Sequence, residues 1–364
     1  YVMKAIQEHP DLELQVIVGA STLLYRFGKA IDVLISDGFP INRKIYYVIE
    51  GETLSTQAKS TGLGIVELST AFENLDPDMV VTVADRFETM ATAIAATYMN
   101  IPLVHIQGGE LSGNIDDRVR HAITKLADFH FTCSDEAKER VLSFGENPDY
   151  VYNLGCPAMD ILLNQDLSIN NKKMNCYGGT GKGVNWEKPY ILMVQHPVTT
   201  SYGNGRQEVE ETLNALLHFK DIQKVVLWPN IDAGSDDVSK GLRLFKERYI
   251  DEPFHFFRNF SPEDYACVLN NAVCTVGNSS SFIREGAFLG VPAVIVGDRQ
   301  KNREAGVNIK IVDYSAENII NTIHAQIVTG RYPKSTLFGT GDSGKCIVSK
   351  ISEILFKKDT LCIK

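Results

Sequence analysis

A stretch of apolar residues of strand length, a loop and an amphipathic helical stretch recur along this chain, and that repetition constrains its fold more than any other feature. Residues 14–18, 79–84, 103–106, 129–133 and 150–154 read as strands, with helical stretches between several of them. Alternation on this scale implies parallel βαβ units. A second series follows at 190–195, 225–228, 254–257, 272–276 and 293–296. The chain therefore reads as α/β, with two Rossmann-like domains. Its 364 residues, 44% hydrophobic and 22% charged, suffice for two ordinary cores.

Between about Gly155 and Glu187 the strands stop, and Gly178, Gly179, Gly181 and Gly183 crowd together. The run Gly178-Gly179-Thr180-Gly181-Lys182-Gly183 invites a phosphate-loop reading. It lacks the required glycine-to-lysine spacing and a preceding strand, so it reads as a linker. This divides the chain into an N-terminal domain over 1–165, a C-terminal domain over 186–340, and a crossover helix and tail over 341–364. The helix, at about 343–357, follows an irregular stretch long enough to carry the chain back across the domain seam. A doubly wound domain ordinarily opens with a strand and a ligand-holding loop, whereas Tyr1-Val2-Met3-Lys4 reads as helix. The first strand and loop are therefore expected to be absent from this sequence.

No apolar run approaches the roughly 20 residues that cross a bilayer, and residues 1–10 lack the pattern of a signal peptide. A cytoplasmic protein without a membrane partner is expected. Cys133, Cys156, Cys176, Cys267, Cys274, Cys346 and Cys362 form an odd set with no C-x-x-C pair, as reduced core thiols do. A net charge of -9 without charge blocks argues against nucleic acid as a partner. A small anion held by a few side chains and backbone N–H groups is compatible with it.

Open α/β sheets bind ligands outside the carboxyl ends of their strands. In the first domain, one strand ends at Asp85-Arg86, and Asp85 fits either an N-cap or a functional carboxylate. The next runs into Gln107-Gly108-Gly109-Glu110, whose glycines allow a ligand to approach or the chain to turn sharply. Asp116 and Asp117 then open a helix, where acidic residues also favour the N-terminus for structural reasons. These polar clusters converge on one crevice. In the second domain His196 ends a strand, followed in the chain by Asn230, Asp232 and the loop Gly277-Asn278-Ser279-Ser280-Ser281. That loop is read as entering a helix whose free N–H groups suit a diphosphate, with Glu285 for a ribose diol and Arg299 as a permanent cation.

The strings Asp85-Arg86-Phe87, Gly108-Gly109-Glu110-Leu111-Ser112-Gly113, Ile115-Asp116-Asp117, Arg120 through Leu126, Gly155-Cys156-Pro157, Gln195 through Thr200, Pro229 through Ser235 and Gly277-Asn278-Ser279-Ser280 span nearly the whole chain. In them the sequence closely resembles the hydrolysing UDP-N-acetylglucosamine 2-epimerases, including the epimerase half of the bifunctional sialic-acid enzyme. The resemblance implies a GT-B-like fold, two Rossmann-like domains facing across a cleft, and a homodimer or homotetramer. It implies a nucleotide-sugar ligand, and neither a metal nor a nicotinamide cofactor.

It further implies that UDP-N-acetylglucosamine and water give UDP and N-acetylmannosamine through 2-acetamidoglucal, in the supply of sialic-acid-type sugars. By the family pattern Asp85 and Asp116 are the acid/base pair. His196, Ser279, Ser280, Glu285 and Arg299 hold UDP, and Arg86, Asn230, Asp232 and Asn278 join the nucleotide-sugar contacts. Where well-known members have Glu in H-I-E-G-G, this chain has Gln107, which cannot shuttle a proton at neutral pH. Asp116, Asp117 or Glu110 then takes that role, with Gln107 retained as a hydrogen-bonding group, or the substrate is a UDP- or GDP-linked 2,4-diacetamido-trideoxy sugar. A glycosyltransferase of the same architecture and a non-catalytic nucleotide-sugar binder are the remaining alternatives.

Overall fold

The computed structural model describes residues 1–357 apart from 26, 27, 52, 114, 199, 200 and 231. Asn114, Thr199, Thr200, Ile231, Cys362 and the rest of the tail lie outside the described residues. The chain divides into one compact unit of Tyr1–Leu111, Ile115–Leu163 and Phe338–Lys364, and another of Ser112–Asn114 and Asn164–Leu337.

The first unit opens with α1 (Val2–Gln7), β1 (Ile17–Gly19), α2 (Ile31–Ser36), β2 (Arg43–Ile45) and α3 (Leu54–Leu75). β1 and β2 pair in parallel as a sheet of their own. β3 (Val80–Val83), α4 (Phe87–Tyr98), β4 (Leu103–Ile106), α5 (Ile115–Leu126), β5 (Phe129–Thr132), α6 (Asp135–Ser143), β6 (Val151–Asn153) and α7 (Ala158–Leu163) follow. Their strands form a parallel sheet in the order β3-β4-β5-β6. β4 is buried along its whole length, so its alternating side chains feed two cores. Leu103 joins Leu68, Phe72, Ala91 and Ile123 of α3, α4 and α5.

The second unit contains α8 (Asn171–Met174), β7 (Gly179–Gly181), β8 (Tyr190–Val194), α9 (Gly205–Leu217), β9 (Gln223–Leu227), α10 (Ser235–Arg248), β10 (Phe254–Phe257), α11 (Pro262–Asn271), β11 (Cys274–Gly277), α12 (Arg284–Leu289), β12 (Ala293–Val296), β13 (Ile309–Val312) and α13 (Ala316–Thr329). The strand order is β13-β12-β11-β8-β9-β10-β7, parallel except for antiparallel β7. The glycine-rich run read as a linker is thus, in part, an edge strand on β10.

The chain then returns to the first unit as α14 (Ser343–Phe356). Ile347, Ile351 and Ile354, spaced as one helical stripe, cover Val104 and Ile106 on the other face of β4. Asp160 of α7 anchors the start of this helix, accepting from the N–H groups of Ser343 at 3.0 Å and Gly344 at 2.7 Å. Burial pushes the Asp160 carboxyl above its ordinary range, against the pull of those hydrogen bonds.

Three strands escape the sequence pattern, β2, β7 and β13, and each closes an edge of its sheet. An edge strand with a wet face does not need an apolar run, and β7 is exposed throughout. β1 begins three residues later than expected, and just before it the Val16 N–H donates to the Asn42 side-chain oxygen at 2.8 Å. Among the described residues no helix is long and apolar enough to cross a membrane, and the described cysteines are free thiols.

Candidate functional site

In the first unit the Asp85 carboxylate after β3, the Glu110 backbone carbonyl beyond β4 and the Asp117 carboxylate at the start of α5 converge on one guanidinium. Arg120 is fully buried on α5, its Nη2 paired with Asp85 Oδ2. Its Nη1 donates to the Glu110 carbonyl at 2.6 Å and to Asp117 Oδ1 at 3.0 Å. Asp85 is not the N-cap of α4; that position is Arg86, which makes no side-chain cap bond. Instead Asp85 gives its Oδ2 to Arg120. Its side chain keeps 16% exposure, so the carboxylate is anchored yet not closed off from solvent.

The backbone is strained beside it. Ala84, the residue before Asp85, lies at φ 65°, and Gln107, closing the neighbouring strand, at φ 66°. Left-handed non-glycine residues are uncommon and concentrate where a site over-determines them. The Ala84 carbonyl accepts from His105 Nε2 at 2.8 Å, and His105 Nδ1 lies 3.2 Å from Thr124 Oγ1. Gly108 leaves room for this pair, since a Cβ there would come to 3.0 Å from both His105 Nδ1 and Thr124 Oγ1. The expected ligand approach at the glycine pair thus becomes close internal packing.

Gln107 is buried and donates to Cys156 Sγ at 3.4 Å. Asp116 stands beside Asp117 in the first turn of α5, half-buried. The Glu110 side chain is buried. Arg86 makes a two-pronged pair with Glu88, with both N–O distances at 3.2 Å.

In the second unit the candidate residues gather at the switch point of the sheet. β8, β9 and β10 run outward one way and β11, β12 and β13 the other. The carboxyl ends of β8 and β11 are therefore where a crevice opens. They come very close: a Cβ on Gly277, at φ 130°, would lie 2.1 Å from the Val194 carbonyl.

Asn278 then locks the two ends together. Its Oδ1 accepts from the His196 N–H at 2.7 Å and its Nδ2 donates to the His196 carbonyl at 2.9 Å. With its side chain fully buried and engaged in this way, Asn278 holds the His196 backbone in place. The Asn278 carbonyl accepts from Arg299 at 3.3 Å and Gln300 at 3.1 Å.

His196 Nδ1 accepts from the Asn230 N–H at 3.2 Å. A neutral ring in that geometry carries its proton on Nε2 and offers it as a donor. Asn230 donates to Asp232 at 2.6 Å, and Asp232 lies 3.6 Å from Arg299. After β11 the chain does not enter an α-helix directly. Ser280–Phe282 form a 3-10 turn with Ser279 at its N-cap, and α12 begins at Arg284 with Glu285 in its first turn. The Ser279 hydroxyl lies 2.9 Å from that of Ser281, which in turn lies 2.5 Å from Tyr265 Oη.

Sequence reading missed Arg120 as the organiser, and His105 and Thr124. A signal for Arg120 was present, because Arg120, Ile123 and Thr124 share the buried face of α5, and a buried arginine needs anionic partners. Likewise, a histidine inside an otherwise apolar strand buried on both faces must find partners for its ring nitrogens. Among the described residues no cluster of His, Cys, Asp and Glu is placed to hold a metal ion.

A profile of the UDP-N-acetylglucosamine 2-epimerase family matches residues 4–352. The chain is 30% identical over 349 residues to a UDP-N,N'-diacetylbacillosamine 2-epimerase (hydrolyzing) of Legionella pneumophila, covering 94% of this chain and 89% of that one. It is also 30% identical over 356 residues to a UDP-N-acetylglucosamine 2-epimerase of Neisseria meningitidis, covering 98% and 90%. The crystal structure of a UDP-GlcNAc 2-epimerase from Neisseria meningitidis, bound to UDP-GlcNAc, superposes with a TM-score of 0.76 at 17% identity, over 97% of this chain and 95% of that one. That likeness shows the GT-B-like fold. With a family match over almost its full length, and relatives at this identity and coverage, the chain belongs to the UDP-N-acetylglucosamine 2-epimerase family.

Proposed function

We propose that the chain is a hydrolysing 2-epimerase that converts UDP-N-acetylglucosamine and water to UDP and N-acetylmannosamine. The observation that carries this reading is the Asp85 carboxylate, held by Arg120 through Oδ2 and still partly exposed. Such a group suits removal of the weakly acidic C2 proton. As that C–H bond breaks, its electron pair forms the C1–C2 double bond of 2-acetamidoglucal and the C1–O bond to UDP breaks. Water then adds at C1, and an acid returns a proton to C2 on the other face.

Asp116 is the proposed acid. Asp117 is already engaged by Arg120, and Glu110 is buried, whereas Asp116 retains exposure at the start of α5. Gln107 acts as a hydrogen-bonding amide and carries no proton. In the second unit, the His196 Nε2–H, the Ser279 and Ser280 hydroxyls and Arg299 bind the diphosphate, with Glu285 on the ribose. Donors at the diphosphate stabilise the negative charge that builds on the leaving group. Asn230 and Asp232 set the His196 ring and the Arg299 head, as their hydrogen bond and ion pair support.

A second substrate reading rests on Gln107 and on the Legionella relative named for the diacetylated sugar. Both sugar nucleotides are therefore offered to the enzyme, with UDP release measured and the free sugar identified by NMR. Free N-acetylmannosamine from UDP-N-acetylglucosamine supports the first reading. Turnover of the 2,4-diacetamido sugar nucleotide alone replaces it with the second. Transfer of sugar to an acceptor with C2–H retained identifies a glycosyltransferase, and binding of both without UDP release identifies a non-catalytic binder.

A further inference from the structure

We infer that His105 is a positioning residue for Asp85, acting through the strained Ala84 peptide and backed by Thr124, which also contacts the Arg120 backbone. Each link is a contact within the first unit. His105 Nε2 meets the Ala84 carbonyl at 2.8 Å, and Ala84 leads directly to Asp85. Asp85 pairs with Arg120. Thr124 Oγ1 lies 3.0 Å from the Arg120 carbonyl and 3.2 Å from His105 Nδ1, and its one proton serves one of these acceptors at a time.

These contacts set both the place and the partner of the carboxylate. An alanine at φ 65° is disfavoured relative to ordinary backbone, so something must hold it there. The Ala84 N–H bonds to the Ile106 carbonyl at 2.9 Å, which continues the β3–β4 ladder. Its carbonyl lacks a ladder partner and takes His105 instead. A carbonyl only accepts, so the ring proton is on Nε2. Burial lowers the His105 pKa to about 4 against the smaller upward pulls of the Ala84 hydrogen bond and the Glu110 charge. The ring thus stays neutral at physiological pH with Nδ1 as an acceptor. The Thr124 hydroxyl reaches that acceptor when its proton turns away from the Arg120 carbonyl, and its contact helps to set the ring plane.

If His105 releases Ala84, the backbone relaxes and Asp85 swings from Arg120. The inference rests on the proposed C2 proton chemistry, and predicts a loss in kcat with substrate binding retained. His105→Leu keeps apolar bulk and removes the donor, while His105→Gln returns an N–H near the place of Nε2. A misplacement on the ångström scale costs up to about 100-fold in rate. Accordingly His105→Leu is expected to lower kcat by ~30- to 100-fold with KM within about threefold, and His105→Gln to recover most of kcat.

Thr124→Val, which removes the hydroxyl behind His105, is expected to lower kcat by ~10-fold, and it decides the matter if His105→Leu does not fold. Wild-type kcat in the folded leucine variant, or in Thr124→Val should the leucine variant not fold, overturns the inference. So does a glutamine variant that folds and is as slow as the leucine one. Crystal structures of the wild type and the folded variants separate this from failure of the proposed function. If the wild type turns over neither sugar nucleotide, an Ala84 that keeps positive φ with Asp85 still on Arg120 in the folded leucine or valine variant overturns the positioning role. A relaxed Ala84 with the ion pair open supports it, whatever the substrate proves to be.

Discussion

Arg120, fully buried on α5, reaches back to the end of β3 and pairs with Asp85. The same guanidinium holds the Glu110 backbone carbonyl and the Asp117 carboxylate, so Asp85 and Asp117 share one cation. Arg120→Met leaves Asp85 and Asp117 facing each other without it. Removing one partner of a buried pair typically costs about 3–5 kcal/mol, and urea unfolding should show a loss of that order. A lysine replacement is expected to recover little, because an ammonium cannot reproduce the planar fork.

Acid should weaken the first unit through His105. Its folded pKa, lowered to about 4 by burial, lies below the unfolded value of about 6.5. Between these values the unfolded chain binds the extra proton, so stability falls as pH drops from about 6.5 towards 4. Glu110 and His121 also face this ring, with opposing effects on it. His105→Gln, which does not titrate, should flatten that part of the profile in urea unfolding measured across the range.

Lys224 gives the second unit a pH dependence at the alkaline end. Its side chain is fully buried on β9, donating to the Phe219 carbonyl at 2.6 Å and lying 5.0 Å from the Phe254 ring centroid. Burial brings its pKa down to about 8, despite the pull of Glu252 and Asp221. The unfolded lysine holds its proton to about 10.5, so stability should rise between about pH 8 and 10.5. At pH 7 the folded state carries a buried cation. Lys224→Met should therefore raise the stability there by ~1–3 kcal/mol, read as a higher denaturation midpoint.

Asn278→Ala removes both hydrogen bonds to the His196 backbone. Each is worth about 1 kcal/mol, and the orphaned buried groups add to the loss, so the second unit should lose at least ~2 kcal/mol. With His196 no longer fixed, UDP affinity measured by calorimetry should fall by ~10-fold or more. The first unit, examined for the Asp85–Arg120 pair by crystallography, should be unchanged.

The central strands were legible because burial on both faces demands an apolar run, as in β4 and β8. The edge strands β2, β7 and β13 were not, because a strand half in water can be built from Arg-Lys-Ile or Gly-Thr-Gly. Among the candidate residues, Asp85 and Asp116 of the first unit and His196 of the second stand out in the sequence by their places at strand and helix ends. Their supports do not. Asn278 reads as one more polar loop residue, and only the backbone path from β8 to β11 shows that its amide is taken up by His196. The left-handed Ala84 carries no sequence signature, since alanine ordinarily avoids that conformation.

Incubation with UDP-N-acetylglucosamine in D2O, comparing wild type with Asp85→Asn, tests the proton chemistry most directly. The wild type should release N-acetylmannosamine carrying deuterium at C2. Asp85→Asn, with the shape kept and the base lost, should turn over at least ~100-fold more slowly while still binding UDP. Sugar released by the wild type with its C2 proton retained, or near-normal turnover by Asp85→Asn, would contradict the role assigned to Asp85.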